Sequence, residues 1–128
     1  MKSEELKERT KEFGLRAIQL VEQLPRSRTA DVIGHQLVRC ATSVGANYRA
    51  ACRARSQADF VSKIGVVEEE ADEAAYWLEV LCATKIVEQD GVTRTLLKEA
   101  NELTAMFAAS EKTAKRNRYE QLVKRGDS

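Results

Sequence analysis

The chain has 128 residues and a mass of 14.3 kDa, the size of one ordinary domain. Its 21 basic and 20 acidic side chains give a net charge of +1, which excludes the strongly basic profile of a dedicated duplex-DNA-binding protein. Hydrophobic residues make up 43% of the chain, with one proline and six glycines, so the composition is that of a folded domain. No apolar run reaches the roughly 20 residues that cross a bilayer, and we expect a cytoplasmic protein without a membrane partner.

The first predicted helix covers about residues 3–24. Apolar and small side chains recur there at alternating spacings of four and three residues, so they share one face of a helix. They are Leu6, Thr10, Phe13, Ala17, Leu20 and Leu24. Pro25 follows, and because a proline disfavours the helical conformation of the residue before it, we expect the helix to stop there. Thr29 is then the candidate N-cap of the second helix.

The second and third predicted helices cover about residues 30–54 and 57–88, and both show the same spacing. Ser56 and Asp59 match a capping box, in which a serine hydroxyl and the acid three residues later satisfy free N–H groups at the helix start. The predicted core face of the second helix consists of Ile33, Leu37, Cys40, Val44, Asn47 and Ala51. That of the third consists of Phe60, Ile64, Val67, Ala71, Ala74, Leu78 and Leu81.

The fourth predicted helix covers about residues 94–116, after a turn at Asp90-Gly91. Its core face consists of Leu96, Ala100, Leu103, Phe107, Ser110 and Ala114. The pattern weakens afterwards, and we expect residues 117–128 to form a tail that is frayed or helical. Four such helices joined by short links predict a single domain over residues 1–128: an all-α, up-down-up-down antiparallel four-helix bundle. The near-heptad spacing implies shallow left-handed crossings of about 20°.

Several apolar or small residues of the second and third helices fall outside the predicted core faces. They must either widen the core within one subunit or be covered by another subunit, and we favour self-association. This interpretation fails if Val38, Val66 and Val80 are all exposed in the assembled protein or all buried within a single subunit. A helix-binding adaptor that uses the same surface is the alternative. The candidate interface residues are Val38, Gly45, Tyr48, Cys52, Val66, Tyr76 and Val80.

Charge is segregated along the chain. Residues 26–55 carry six arginines and one acid, whereas residues 56–90 carry nine acids and two lysines. We expect Arg49 and Arg53 to pair with the acidic cluster at residues 68–73, either within one subunit or between subunits. Exposed ion pairs of this kind set register and partner choice more than stability. If they do not pair, they are free to bind RNA or a protein partner. The candidate contact residues are Arg39, Arg49, Arg53, Lys115, Arg116 and Arg118.

Asn47 is a polar residue on the apolar face of the second helix. An unpaired buried amide would cost about 1–3 kcal/mol, so we expect it to have a hydrogen-bond partner. Glu70 and a backbone carbonyl across the bundle are the two candidates. A polar residue at such a position also fixes the register of neighbouring helices, which is the role that we predict for Asn47 and Glu70.

The sequence offers little for catalysis or metal binding. His35 is the single histidine, and no CxxC motif is present. We interpret the three cysteines as small buried apolar residues in a reducing compartment. They are Cys40, Cys52 and Cys82.

Two arrangements of acidic residues are candidates for an enzymatic site. Asp31 and His35 have the i, i+4 spacing of an acid–base pair, but neither has a nearby nucleophile or phosphate-binding loop. Glu70 and Glu73 would supply carboxylates to a di-metal site, which also needs Glu-x-x-His elements that the chain lacks. We therefore expect neither a metal-dependent nor an acid–base enzyme, and no cofactor.

Three stretches of the sequence, residues 35–51, 53–64 and 70–79, carry motifs that resemble one bacterial family. It is the "four helix bundle protein" family, also called the 23S ribosomal RNA intervening-sequence protein family. The resemblance covers roughly residues 10–90. The motifs occur in the order Gln36-Leu37, Ser43-x-x-x-Asn47, Ser56-x-x-x-Phe60 and Glu70-x-x-Glu73.

The resemblance implies an up-down bundle that assembles as a ring-like homopentamer. Some relatives are encoded inside insertions in ribosomal RNA genes, and similar pentameric bundles bind nucleic acid through basic surfaces. Where the family often has a glutamate two residues after the Asn–Tyr region, this chain has Arg49-Ala50-Ala51. We therefore expect a non-enzymatic, homo-oligomeric scaffold of undefined biochemical role that binds RNA or a protein partner through arginines.

Overall fold

A computed structural model describes residues 1–126, and most of this part of the chain is helical. The helices are α1 (Ser3–Glu22), α2 (Arg28–Ala51), α3 (Gln57–Thr84) and α4 (Gly91–Gly126). No strand occurs within the described range. None of these helices is both long enough and apolar enough to cross a membrane.

Consecutive helices pack side by side and run antiparallel. Along α1 and α2, Gly14 lies beside Thr42 whereas Gly45 lies beside Thr10, so residue numbers rise on one helix as they fall on the other. The α3–α4 interface is the most extensive and the α1–α4 interface the least, while the diagonal pairs make no close backbone contact. The structure thus confirms the predicted all-α, up-down-up-down four-helix bundle.

The core is built from the four faces that the spacing predicted. Their large apolar side chains, such as Phe13, Leu37, Ile64 and Phe107, are almost completely buried. The predicted core residues that remain partly exposed lie mostly near helix ends, where fewer neighbours cover them. They are Leu24, Asn47, Phe60, Ser110 and Ala114.

Two helix starts show how local hydrogen bonds set the boundaries. The N-cap of α2 is Ser27 and not the predicted Thr29, because the Ser27 hydroxyl accepts a hydrogen bond from the Ala30 N–H at 3.0 Å. At α3 the predicted capping serine is confirmed, since the Ser56 hydroxyl accepts from the Asp59 N–H at 3.1 Å. The Asp59 carboxylate accepts from the Arg55 N–H at 3.3 Å, one residue before the N-cap.

Two predicted helix ends are corrected. α3 ends at Thr84 and not near residue 88, because Lys85 adopts the left-handed conformation with φ of 58°. α4 does not end at residue 116 but continues to Gly126, so the described part of the predicted tail is helical. Residues 111–125 contain mainly strong helix formers and no proline or glycine, which explains the continuation.

Candidate functional site

A group of basic side chains lies where α2 passes into α3. Arg49 is near the end of α2, and Arg53 and Arg55 follow in the short link. With Lys63 of α3 they surround a shallow depression whose floor includes Ala46 and Ala50. We call Arg49, Arg53, Arg55 and Lys63 the basic corner. The link is short, and Ser56 caps the start of α3 directly after it.

Asp59 also lines this depression, and it forms an ion pair with Lys63 and not with the arginines. Lys63 Nζ lies 2.5 Å from Asp59 Oδ1, and this hydrogen bond together with that from the Arg55 N–H lowers the pKa of Asp59. The guanidinium groups of Arg49, Arg53 and Arg55 form no ion pair within residues 1–126. Three exposed guanidinium groups without an ion pair in this range therefore line one depression.

Arg39 has a different environment and does not belong to this surface. Its guanidinium pairs with Glu70 at 3.4 Å and with Glu73, and it also donates to Gln36 at 3.2 Å. The antiparallel register places the middle of α2 opposite the acids of α3. The end of α2 lies beside Asp59 and Lys63 instead, so Arg49 and Arg53 do not pair with the acidic cluster within one chain, and the prediction of that pairing within the subunit is wrong.

The basic candidates on α4 fall into two groups. Lys115 Nζ lies 2.7 Å from Glu111 Oε1, and this hydrogen bond raises the pKa of Lys115. Arg116 and Arg118 are exposed and form no ion pair in the described part of the chain. Ala114 and Asn117 line a second depression together with Arg55, which brings this part of α4 close to the basic corner.

The apolar interface candidates are only partly exposed. Val66 and Tyr76 leave 39% and 55% of their surface accessible, whereas Val38 and Val80 are partly buried. The three valines are therefore neither all exposed nor all buried. Val80 packs against the core cluster, which explains its lower exposure.

Three further interface candidates have other environments. Tyr48 is buried, with its ring 5.4 Å from that of Phe107, so the prediction that it lies at an outer interface is wrong. At Gly45 an added Cβ would lie 3.3–3.4 Å from the α1 backbone, so this residue serves a close contact inside the bundle. Cys52 is exposed, because it lies just beyond the last turn of α2.

An exposed apolar pair on α1 was not among the predicted interface residues. Leu15 and Ile18 leave 44% and 37% of their surface accessible and line a groove between α1 and α2. Gly14 and Gly45 lie at the bottom of this groove, where the two backbones approach closely. The i, i+3 spacing of the pair outside the core face was the available signal.

Asn47 finds its partner within its own helix. Its Nδ2 donates to the Ser43 carbonyl at 2.9 Å and to the Ser43 hydroxyl at 2.7 Å. The expected partner Glu70 pairs with Arg39 instead, so the predicted contact across the bundle is wrong. Asn47 is only partly buried, and an intrahelical bond of this kind satisfies its amide without linking two helices.

The residues weighed for catalysis are not brought together. Asp31 and His35 are both exposed and share no hydrogen bond. No group of three or more His, Cys, Asp or Glu side chains in residues 1–126 is arranged to hold a metal ion.

The cysteines differ in exposure, which corrects the expectation that all three are buried. Cys40 is buried and Cys82 partly buried, whereas Cys52 is exposed. Burial raises the pKa of the Cys40 thiol to about 12, so this thiol is not nucleophilic near neutral pH.

Comparison with known proteins agrees with this architecture. The family model described as 23S rRNA-intervening sequence protein matches residues 2–109. A crystal structure of a protein with unknown function from the S23 ribosomal protein family of Bacteroides thetaiotaomicron is similar, with a TM-score of 0.78 and 31% sequence identity. The match covers 88% of this chain and 99% of that chain. A search of curated proteins finds no match. The chain therefore belongs to the 23S rRNA-intervening sequence protein family.

Proposed function

We propose that this chain is a non-enzymatic helical scaffold that assembles with copies of itself. The observation that carries the proposal is an exposed apolar pair on each of two helices, Leu15 and Ile18 on α1 and Val66 and Tyr76 on α3. Their accessible fractions run from 37% to 55%, although other side chains already fill the core. Contact with a second copy would remove this apolar surface from water.

The two pairs lie on different sides of the bundle. α1 and α3 are diagonal to each other and make no close backbone contact, so these two pairs of apolar side chains lie on separate surfaces of the chain. When a surface of one kind on one copy contacts a surface of the other kind on a second copy, the resulting dimer still has one free surface of each kind. Such assemblies grow until they close into a ring or extend as a filament. The homopentameric ring that the family resemblance implies is one closed form of this kind.

Sedimentation velocity at about 1 to 100 µM protein tests the proposal, because self-association depends on concentration. We expect a species several times heavier than the 14.3 kDa monomer. A chain that stays at 14.3 kDa at the highest concentration contradicts the proposal and favours the alternative, an adaptor for a different protein.

Charged substitutions locate the contact. Ile18→Glu and Tyr76→Glu each place a charge within one apolar pair, and we expect about tenfold or greater weakening of assembly from whichever pair is buried between copies. Gln19→Glu, at the exposed position next to Ile18, is the matched control and should assemble like the wild type. If both test variants also assemble normally, the two pairs do not mediate the contact.

Binding of RNA is a second candidate function, and the basic corner favours it. Three guanidinium groups without acidic partners surround one depression, and guanidinium is well suited to bidentate contact with phosphate. The family description refers to an intervening sequence of ribosomal RNA, which is consistent with this candidate. In an assembly the corner would repeat once per copy, and such multivalency strengthens a weak individual contact.

Fluorescence anisotropy with a labelled single-stranded RNA, measured over a series of salt concentrations, tests this candidate. We expect affinity that falls steeply with salt, and a slope that decreases by about 0.7 for each phosphate contact removed by Arg49→Gln or Arg53→Gln. Arg28→Gln is the matched control, since Arg28 is an exposed arginine at the opposite end of α2. No retention of RNA at low salt, or equal effects of all three variants, would rule out the basic corner.

A further inference from the structure

The last turns of α4 extend beyond the rest of the bundle. Gly65 of α3 lies beside Glu111, and the start of α3 lies beside Ala114 and Asn117. Because α3 and α4 are antiparallel, residues 118–126 extend past the start of α3. They have no neighbouring helix among the described residues. Every residue from 115 to 126 is exposed. We call residues 118–126 the α4 extension, which is about 14 Å long at 1.5 Å per residue.

The α4 extension is amphipathic and basic. Tyr119, Leu122 and Val123 leave 68%, 49% and 43% of their surface accessible. Their i, i+3 and i+4 spacing places them on one face. Lys112 and Arg116 precede Tyr119 by seven and three residues, so they continue this face with positive charge. A helix with an apolar stripe of this kind has the pattern of a segment that packs against another surface.

A complementary surface lies on the outer side of α3. Val66, Glu69, Asp72, Tyr76 and Glu79 are all exposed, and their spacing of three and four residues places them on one face. We call these five residues the outer stripe of α3. None of its three acids forms an ion pair within the described residues. The stripe therefore combines two apolar side chains with three uncompensated negative charges.

The two surfaces match in length as well as in chemistry. The outer stripe spans about 20 Å from Val66 to Glu79, and the face from Lys112 to Val123 spans about 17 Å, at 1.5 Å per residue. Basic groups on one face and acidic groups on the other would approach each other when the apolar side chains meet. Such complementarity guides association and fixes the register of the partners.

The extension cannot reach the outer stripe of its own chain. α4 is one continuous helix from Gly91 to Gly126 and leaves the bundle at the end where α3 begins. A return to the outer side of α3 would require a turn that a continuous helix does not contain. The extension can consequently contact this stripe only on another copy.

We propose that the α4 extension of one copy docks onto the outer stripe of α3 of a second copy. This inference rests on the proposed self-association and assigns the exposed pair on α3, Val66 and Tyr76, to a contact with the α4 extension of another copy. Each chain donates one extension and accepts another, so the contact is between unlike surfaces and propagates from copy to copy. A variant whose extension is disrupted could still bind the extension of another copy through its intact stripe. A variant whose stripe is disrupted could still dock its own extension onto another copy.

Two full-length variants separate these roles. The donor variant carries Leu122→Asp and Val123→Asp, and the acceptor variant carries Glu69→Lys and Asp72→Lys. Because all four positions are exposed, both variants should retain the fold, which far-ultraviolet circular dichroism checks. Gln121→Asp is the matched control on the extension, since position 121 lies off the apolar face.

Sedimentation velocity at about 100 µM measures the outcome. We expect each variant alone to associate about a hundredfold more weakly than the wild type, because like charges or unpaired charges then meet in the contact. The control should assemble like the wild type. A mixture of the donor and acceptor variants should restore association, since the intact stripe of the donor variant can bind the intact extension of the acceptor variant.

Other results overturn the inference. If the wild type assembles and either variant assembles equally well, the extension does not dock on the stripe, while the proposed self-association stands. If the mixture remains at 14.3 kDa, the two surfaces are not partners of each other. If the wild type itself is a 14.3 kDa monomer at the same concentration, the proposed function fails together with the inference.

Discussion

The ring of Tyr48 on α2 packs against that of Phe107 on α4, with centroids 5.4 Å apart and planes inclined by 47°. α2 and α4 are diagonal helices without close backbone contact, so the contact between these rings links two helices whose backbones lie apart. Burial raises the pKa of the Tyr48 hydroxyl, and a hydrogen bond with the Cys52 side chain acts in the same direction. Tyr48 thus reaches into the core while its hydroxyl lies near the exposed end of α2.

Substitution of Tyr48 separates the contribution of its ring from that of its hydroxyl. We expect Tyr48→Ala to lower the free energy of unfolding by about 3 kcal/mol, because it leaves a cavity beside Phe107. Tyr48→Phe retains the ring contact and should cost less than about 1 kcal/mol. Urea denaturation followed by circular dichroism measures both. Equal losses in the two variants would mean that the hydroxyl, and not the ring, stabilises this region.

The ion pair between Arg9 of α1 and Glu99 of α4 provides a second prediction. Arg9 Nε and Nη2 donate to the two Glu99 oxygens at 2.8 and 2.6 Å, and Nη2 also donates to Glu102 at 2.9 Å. The Glu99 side chain is only 17% exposed. We expect Arg9→Gln to lower the free energy of unfolding by about 1–2 kcal/mol at pH 7, more than an exposed pair contributes. Chemical denaturation measures the difference.

The cost of this substitution should depend on pH. The hydrogen bond from Arg9 lowers the pKa of Glu99 below its ordinary value of 4.5 in the folded protein. The stabilisation is therefore complete above pH 4.5 and is lost as the pH falls through the lowered folded value. Lys7→Gln, which removes an exposed ion pair with Glu4, is the control and should change stability little at neutral or at acidic pH. A pH-independent difference for Arg9→Gln would contradict the assignment.

Three helical glycines allow a matched test of packing. At Gly14 and Gly45 an added Cβ would lie 3.3 Å from backbone atoms of the facing helix, whereas at Gly65 it would lie 3.4 Å from the flexible end of Glu111. Alanine favours a helix over glycine by about 1 kcal/mol, but overpacking costs about 1–3 kcal/mol. We expect Gly65→Ala to raise the melting temperature and Gly14→Ala and Gly45→Ala to lower it. Stabilisation by all three would show that α1 and α2 can separate at little cost.

Thr93 is buried, and its hydroxyl has no hydrogen-bond partner among residues 1–126. Thr93→Val replaces this hydroxyl with a methyl group of similar size, and we expect stabilisation of about 1 kcal/mol. Thr10→Val is the matched control, because the buried Thr10 hydroxyl donates to the Leu6 carbonyl at 2.9 Å. The control should be neutral or destabilised by about 1 kcal/mol. Thermal unfolding of both variants decides, and destabilisation by Thr93→Val would indicate a bonded hydroxyl.

The fold could be predicted from the sequence because each helix has a regular apolar face. Spacing alone identified most of the core residues and the order of the helices. Boundaries were less certain where two signals compete. Ser27 and Thr29 are both acceptable caps, and only the backbone conformation selects Ser27. α4 is longer than predicted because the residues beyond 116 favour a helix. A core-face pattern does not detect this preference, since these residues contact no core.

The candidate site was harder to predict because it depends on which side chains meet. Whether an arginine is neutralised depends on the register between α2 and α3, and a single sequence does not fix register. Arg39 is paired for this reason, whereas Arg49 and Arg53 are not. Tyr48 lies off the expected core face, but a long aromatic side chain can reach the core from such a position.

The narrow interface between α1 and α4 has a consequence for the dynamics of the bundle. α3 is covered by extensive contacts with both α2 and α4, but α1 has an extensive partner on one side only. Detachment of α1 therefore breaks fewer contacts than detachment of α3, so α1 should open at a lower free energy than α3. Native-state hydrogen exchange is expected to show the amides of α1 exchanging at a lower opening free energy than those in the middle of α3.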